Sequence, residues 1–160
     1  MNIIINHNQS KNIFLKGLDN NPIKTIGYDF DGVIHKTVGK PMKNGQRYAI
    51  GNDFELNDKI YNVIKRNNKN NQYIITARPK EDREIINNTL KKFGLKFNKI
   101  IYTNGNSKVN SIKKLNINEY YDDSYNVIED IKFKWNELHQ LKKLFFVIPE
   151  YQKIIQIKKK

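Results

Sequence analysis

No cysteine occurs among the 160 residues, which excludes disulfides, thiolate zinc sites and a cysteine nucleophile together. Tryptophan appears once and proline four times, and acidic residues are scarce. Sixteen aspartates and glutamates stand against 29 lysines and arginines, giving a formal net charge of +13 and a pI near 9.7. Long hydrophobic runs are missing as well. The opening Met1-Asn2-Ile3-Ile4-Ile5-Asn6 breaks after three apolar residues, too few for a signal peptide, and the longest later run, about residues 144–149, cannot span a bilayer. The expectation is a soluble, cytoplasmic protein without a membrane partner.

What is present is unevenly chosen. Lysine (25), asparagine (24) and isoleucine (24) dominate, while arginine supplies only 4 residues. Codons for those three are AT-rich, so genome base composition accounts for the lysines as readily as an anionic partner does. Position does not separate the two causes: residues 1–80 carry 13 basic and 6 acidic groups, and residues 81–160 carry 16 and 10. The length suits about one domain, and 38% hydrophobic residues can bury a core.

Short β-rich runs alternate with amphipathic stretches. Residues 24–30, 72–77, 98–102, 117–121 and 143–148 read as strands; residues 56–66, 81–93, 108–115 and 125–138 read as helices, with Gly94 closing the second. Such alternation predicts βαβ units: an α/β, three-layer αβα Rossmann-like fold around a central parallel sheet of about five strands. Residues 1–22 are expected to form an N-terminal arm or edge hairpin, residues 23–150 the core, and residues 151–160 a basic C-terminal end. Ligands in such sheets bind beyond the carboxyl ends of the strands.

Those ends hold the scarce acids. The first strand runs into Asp29-Phe30-Asp31-Gly32-Val33, the second into Thr76-Ala77-Arg78-Pro79, and the fourth into Tyr121-Asp122-Asp123-Ser124. Four of the sixteen carboxylates therefore fall in two strand-end clusters. Like charges raise one another's pKa, and a hard divalent cation, Mg²⁺ above all, relieves that conflict. A calcium loop starting at Asp29 fails, because its twelfth position is Lys40. For Asp123 the alternative to metal ligation is N-capping of the following helix, a role open to Ser124 too. Arg78 suits bidentate capture of a substrate phosphate. His7, His35 and His139 lack metal-ligand spacing, and a surface or core role is expected of His35. No glycine-rich phosphate loop occurs.

In order and strand placement these segments resemble the motifs of the haloacid dehalogenase-like (HAD) superfamily, over roughly residues 24–149. The resemblance implies a phosphatase working through an aspartyl-phosphate, with Asp29 as nucleophile and Asp31 as general acid and then base. It implies that Thr76 and Lys108 hold the phosphoryl group, and that Asp29, the backbone carbonyl of Asp31, Asp122 and Asp123 bind Mg²⁺. Residues 33–54 and 103–107 are too short for the cap domain many members carry, so a capless enzyme is expected. The substrate implied is a phosphate monoester, with a nucleotide or nucleic-acid phosphate end as candidates. Alternatives are a phosphotransferase, or a catalytically silent nucleic-acid- or protein-binding module.

Overall fold

Strands that are apolar at successive positions must be covered on both faces, and the central ones here are. β1 (Thr25–Tyr28), β4 (Asn71–Thr76) and β6 (Glu119–Asp122) lie side by side, β1 in the middle, and nearly all their residues are buried. The computed structural model describes residues 22–37, 40–41, 47–48 and 53–159, so the expected arm or hairpin at 1–22 lies, Pro22 apart, outside the described residues.

The full sheet has six strands in the order β5 (Lys99–Tyr102), β4, β1, β6, β7 (Lys143–Ile148) and β8 (Lys153–Ile157). All neighbours pair in parallel except β7 and β8. The sheet is thus mixed and one strand larger than expected. β8 falls in the segment read as a basic end. Its lysines mask a short apolar alternation, and the reversal uses Gln152 at a φ of 50°, where glycine or asparagine is the usual signal. Two-residue strands β2 (Lys40–Pro41) and β3 (Arg47–Tyr48) form a separate antiparallel ribbon within residues 33–54.

Adjacent strand residues point to opposite faces, and two cores result. Ile74 and Tyr121 face helices α1 (Asp58–Arg66) and α2 (Arg83–Phe93), through Ile60, Ile64, Ile86 and Leu90. Ile75 and Tyr120 face α3 (Val109–Lys114) and α4 (Tyr125–Lys134), through Ile112, Ile128 and Ile131. The three layers expected of alternating strands and helices are formed. Asn57 caps α1, Ser124 caps α4, and Gly94 ends α2 in the left-handed region. Among the described residues, no helix is long and apolar enough to cross a membrane.

One packing contact reaches toward the strand ends. A Cβ at Gly27 of β1 would lie 2.8 Å from Tyr120 Cδ1, so the missing side chain is what lets the tyrosine ring lie across β1. Gly27→Ala is therefore expected to cost about 1–3 kcal/mol by overpacking and to lower Tm by several degrees in a thermal melt. An unchanged Tm would show that the ring yields freely.

Candidate active site

From β1 the chain builds outward to β4 and β5, then crosses back to form β6 on the other flank of β1. β1 is thus where the strand order divides, and the crevice beyond its carboxyl end is where ligands bind in such sheets. Asp29 follows β1 directly, Thr76 ends β4 and Asp122 ends β6. The backbone N–H of Asp29 donates to Tyr121 O at 2.9 Å, which carries the β1–β6 ladder through the aspartate. Three adjacent strands thus deliver their terminal side chains to one place.

Lys108 ties that place together. It stands just before α3, an unfavourable end for a cation by the helix dipole, and is only 4% exposed. Its Nζ donates at 2.8 Å to Asp29 Oδ1 and at 2.8 Å to Asp122 Oδ2. Burial works against its charge, but the Asp122 and Asp29 carboxylates hold its pKa above the ordinary lysine value. Asp122 is fully buried and bonded at both oxygens: its Oδ2 also accepts from the Tyr120 hydroxyl at 2.8 Å, and its Oδ1 accepts from the Ser124 N–H at 2.9 Å. Asp29 is pushed up to about 7 by burial, with Lys108 pulling it back and the charges of Asp122 and Asp31 adding to the rise.

Asp31, two residues on, has different surroundings. Arg78 grips it with a fork, Nε to Oδ2 and Nη2 to Oδ1, both at 2.8 Å, and His35 Nε2 lies 3.0 Å from Oδ1. Burial opposes its charge, yet the Arg78 and His35 hydrogen bonds hold its carboxyl below the usual carboxylate range. Arg78 in turn reaches Asp82 with Nη1 at 3.1 Å and packs against the rings of Phe30 and Phe54. The backbone makes room through Gly32, at a φ of 75°, where a Cβ would run into the Asp123 carboxylate. Thr76 is buried, and its hydroxyl accepts from the Arg78 N–H at 3.2 Å.

Asp29, Asp122 and Asp123 each bring a carboxylate oxygen into a group whose members all lie within 4.8 Å of one another. Helix capping does not employ Asp123, because the Ser124 hydroxyl accepts from Val127 N. Burial, with the nearby charges of Asp29 and Asp122, pushes the Asp123 carboxyl well above its ordinary value. Oxygen ligands in this number, two of them carrying carboxyls that resist ionising together, fit a hard divalent cation. The residues are suited to Mg²⁺.

The expected site residues therefore converge in two connected groups: Asp29, Lys108, Asp122 and Asp123 in one, Asp31 and Arg78 in the other, with Thr76 joined to the second through its hydrogen bond to the Arg78 N–H. His35, read from sequence as a surface or core residue, is buried and touches Asp31. Its closeness to Asp31 along the chain was the only sequence signal for this contact.

No family model matches the chain. It is 39% identical, over a 155-residue alignment, to the uncharacterized protein L684 of Acanthamoeba polyphaga mimivirus; the match covers 86% of this chain and 31% of that protein. The chain thus spans about a third of the length of the curated relative it matches. Among solved structures it is similar to the 3-deoxy-D-manno-octulosonate 8-phosphate phosphatase of Moraxella catarrhalis in complex with magnesium, phosphate and KDO. The identity is 19%, the coverage 69% of this chain and 63% of that one, and the TM-score 0.41. A putative phosphatase of the same designation from Vibrio cholerae gives 19% identity, 74% and 62% coverage, and a TM-score of 0.35.

The carboxyl cluster sets a pH dependence. With its folded pKa at about 7, above the ordinary 3.8, Asp29 holds a proton that the unfolded chain has lost, so its contribution to stability fades as pH rises through that range. A divalent cation replaces the proton and reverses the trend. At tenfold its dissociation constant Mg²⁺ adds about 1.4 kcal/mol, roughly 3–5 °C in Tm for this size, and the dissociation constant itself should fall from pH 5.5 to pH 8. Thermal melts of the wild type and Asp123→Asn check this. An equal Mg²⁺ response in both would remove Asp123 from the metal site.

Proposed function

We propose that the chain is a Mg²⁺-dependent phosphatase of the HAD-like type, hydrolysing a phosphate monoester through an aspartyl-phosphate on Asp29. The observation that carries this reading is the pairing of Asp29 with buried Lys108 beside two further carboxylates, while Asp31 sits apart in its own shell of donors. Lys108 aims an oxygen of Asp29 and pulls its pKa back against burial, and a bound cation would complete the ionisation that a nucleophile requires. Mg²⁺, held by Asp29, Asp122, Asp123 and the backbone carbonyl of Asp31, would supply charge neutralisation for the phosphoryl oxygens. In the first step an Asp29 oxygen bonds to phosphorus and the ester P–O bond breaks; Asp31, ionised among its donors, takes up the proton of the substrate monoanion and passes it to the leaving oxygen. In the second, Asp31 takes a proton from water as the water oxygen attacks the aspartyl-phosphate, and inorganic phosphate leaves.

Thr76 and Lys108 are assigned to the phosphoryl oxygens. Arg78, suited by type to clamp a phosphate, already gives three nitrogens to Asp31 and Asp82, and we assign it first to Asp31. A formal charge of +13 favours polyanionic substrates, a nucleotide or a phosphorylated nucleic-acid end among them.

The test is phosphate release from p-nitrophenyl phosphate and from a panel of nucleotides, sugar phosphates and 3′- or 5′-phosphorylated oligonucleotides. Asp29→Asn should lose roughly three orders of magnitude or more in kcat, and EDTA should silence the enzyme until Mg²⁺ is restored. Equal activity in wild type and variant would overturn the nucleophile, and activity persisting in chelator would overturn the metal.

A further inference from the structure

His35 is wholly buried, and nothing in the chemistry above needs it. Its ring lies 4.4 Å from that of Phe54 and 4.9 Å, edge-on, from that of Phe30. A histidine enclosed by phenylalanines must satisfy both ring nitrogens from within the protein. Nδ1 accepts from the Thr37 N–H at 3.2 Å, which places the ring proton on Nε2, and Nε2–H donates to Asp31 Oδ1 at 3.0 Å. The backbone on either side is tied down as well. Lys36 N donates to Glu55 O at 2.9 Å, and Asn57 N donates to Ile34 O at 3.0 Å. The imidazole is therefore a fixed donor on a rigid turn.

Asp31 receives that donor on the same oxygen that accepts Arg78 Nη2, while Oδ2 takes Arg78 Nε. Arg78, itself anchored by Asp82, Phe30 and Phe54, grips the carboxylate edge from β4, which leaves the loop that carries Asp31 tied to it only across the sheet. His35, four residues on, adds a donor from within the loop itself. Stiff support of this kind is what holds a reacting group near its productive geometry.

We propose that His35 is a positioning residue: its Nε2–H, acting with the Arg78 guanidinium, fixes the direction of the Asp31 carboxyl toward the leaving-group oxygen. The proposal rests on the phosphatase reading of the site and adds a residue that reading does not require. In the step it serves, the Asp29 O–P bond forms, the ester P–O bond breaks, and the proton brought by the substrate monoanion passes through Asp31 to the departing oxygen.

His35→Phe keeps an aromatic ring between Phe30 and Phe54 and deletes both ring hydrogen bonds; His35→Gln restores a donor. kcat/KM is measured for each with p-nitrophenyl phosphate, whose leaving group departs without a proton, and with an alkyl phosphate, whose leaving group needs one. The alkyl-to-aryl ratio should fall roughly 10- to 100-fold in His35→Phe, as misplacement of a reacting group does, and recover in His35→Gln. A merely structural role lowers both substrates together and leaves the ratio unchanged; that result, or full activity in His35→Phe, overturns the proposal while the phosphatase reading stands. A wild type silent on both esters overturns the phosphatase reading and the positioning role with it.

Discussion

One buried ammonium lets several carboxylates share the crevice beyond β1. Without Lys108, Asp29 and Asp122 would face each other out of water, and removing one partner of such a buried pair costs about 3–5 kcal/mol. Much of the surrounding architecture keeps that ammonium in place. Lys108 stands at the N-cap of α3, the Tyr120 ring lies beneath Nζ at 6.0 Å, and the Tyr120 hydroxyl occupies the Asp122 oxygen that the lysine also uses. Gly27, lacking a side chain, admits the ring. Backbone choice in a central strand and charge placement at its end are therefore one problem, solved jointly.

The second constraint is the contrast between two aspartates two residues apart. Asp29 is driven upward by burial among like charges, whereas Asp31 is drawn downward by a guanidinium and an imidazole. Environments that push neighbouring carboxyls in opposite directions give two aspartates different charge states without any change of residue type. Asp31 turns toward Arg78 while Asp29 stays with Lys108, and Gly32, just beyond Asp31, takes the left-handed conformation.

Much of this was legible in the sequence because it is local. The strands with β-branched and aromatic runs, the helices with apolar spacing, Gly94 and the scarce acid pairs at strand ends all announce themselves within a few residues. What stayed hidden depends on distant partners. Arg78 and Asp31 are 47 residues apart, and their pairing exists only because β1 and β4 are neighbours. His35 gains its meaning from Phe54 and from a turn whose geometry a sequence does not display. Asp123 and Ser124 compete for one capping role, and only the Ser124 hydroxyl bond to Val127 N decides it. β8 was obscured by composition, since lysines at either end disguise Ile154, Ile155 and Ile157 as part of a solvated tail.

That last strand also settles which way the polypeptide points. Because β8 runs antiparallel to β7, Ile157 pairs with Leu144, near the start of β7 and away from the acid cluster. The chain enters β1 at Thr25 from that same side of the sheet. Among the described residues, the start of β1 and the end of β8 thus lie at the end of the sheet opposite the acid cluster.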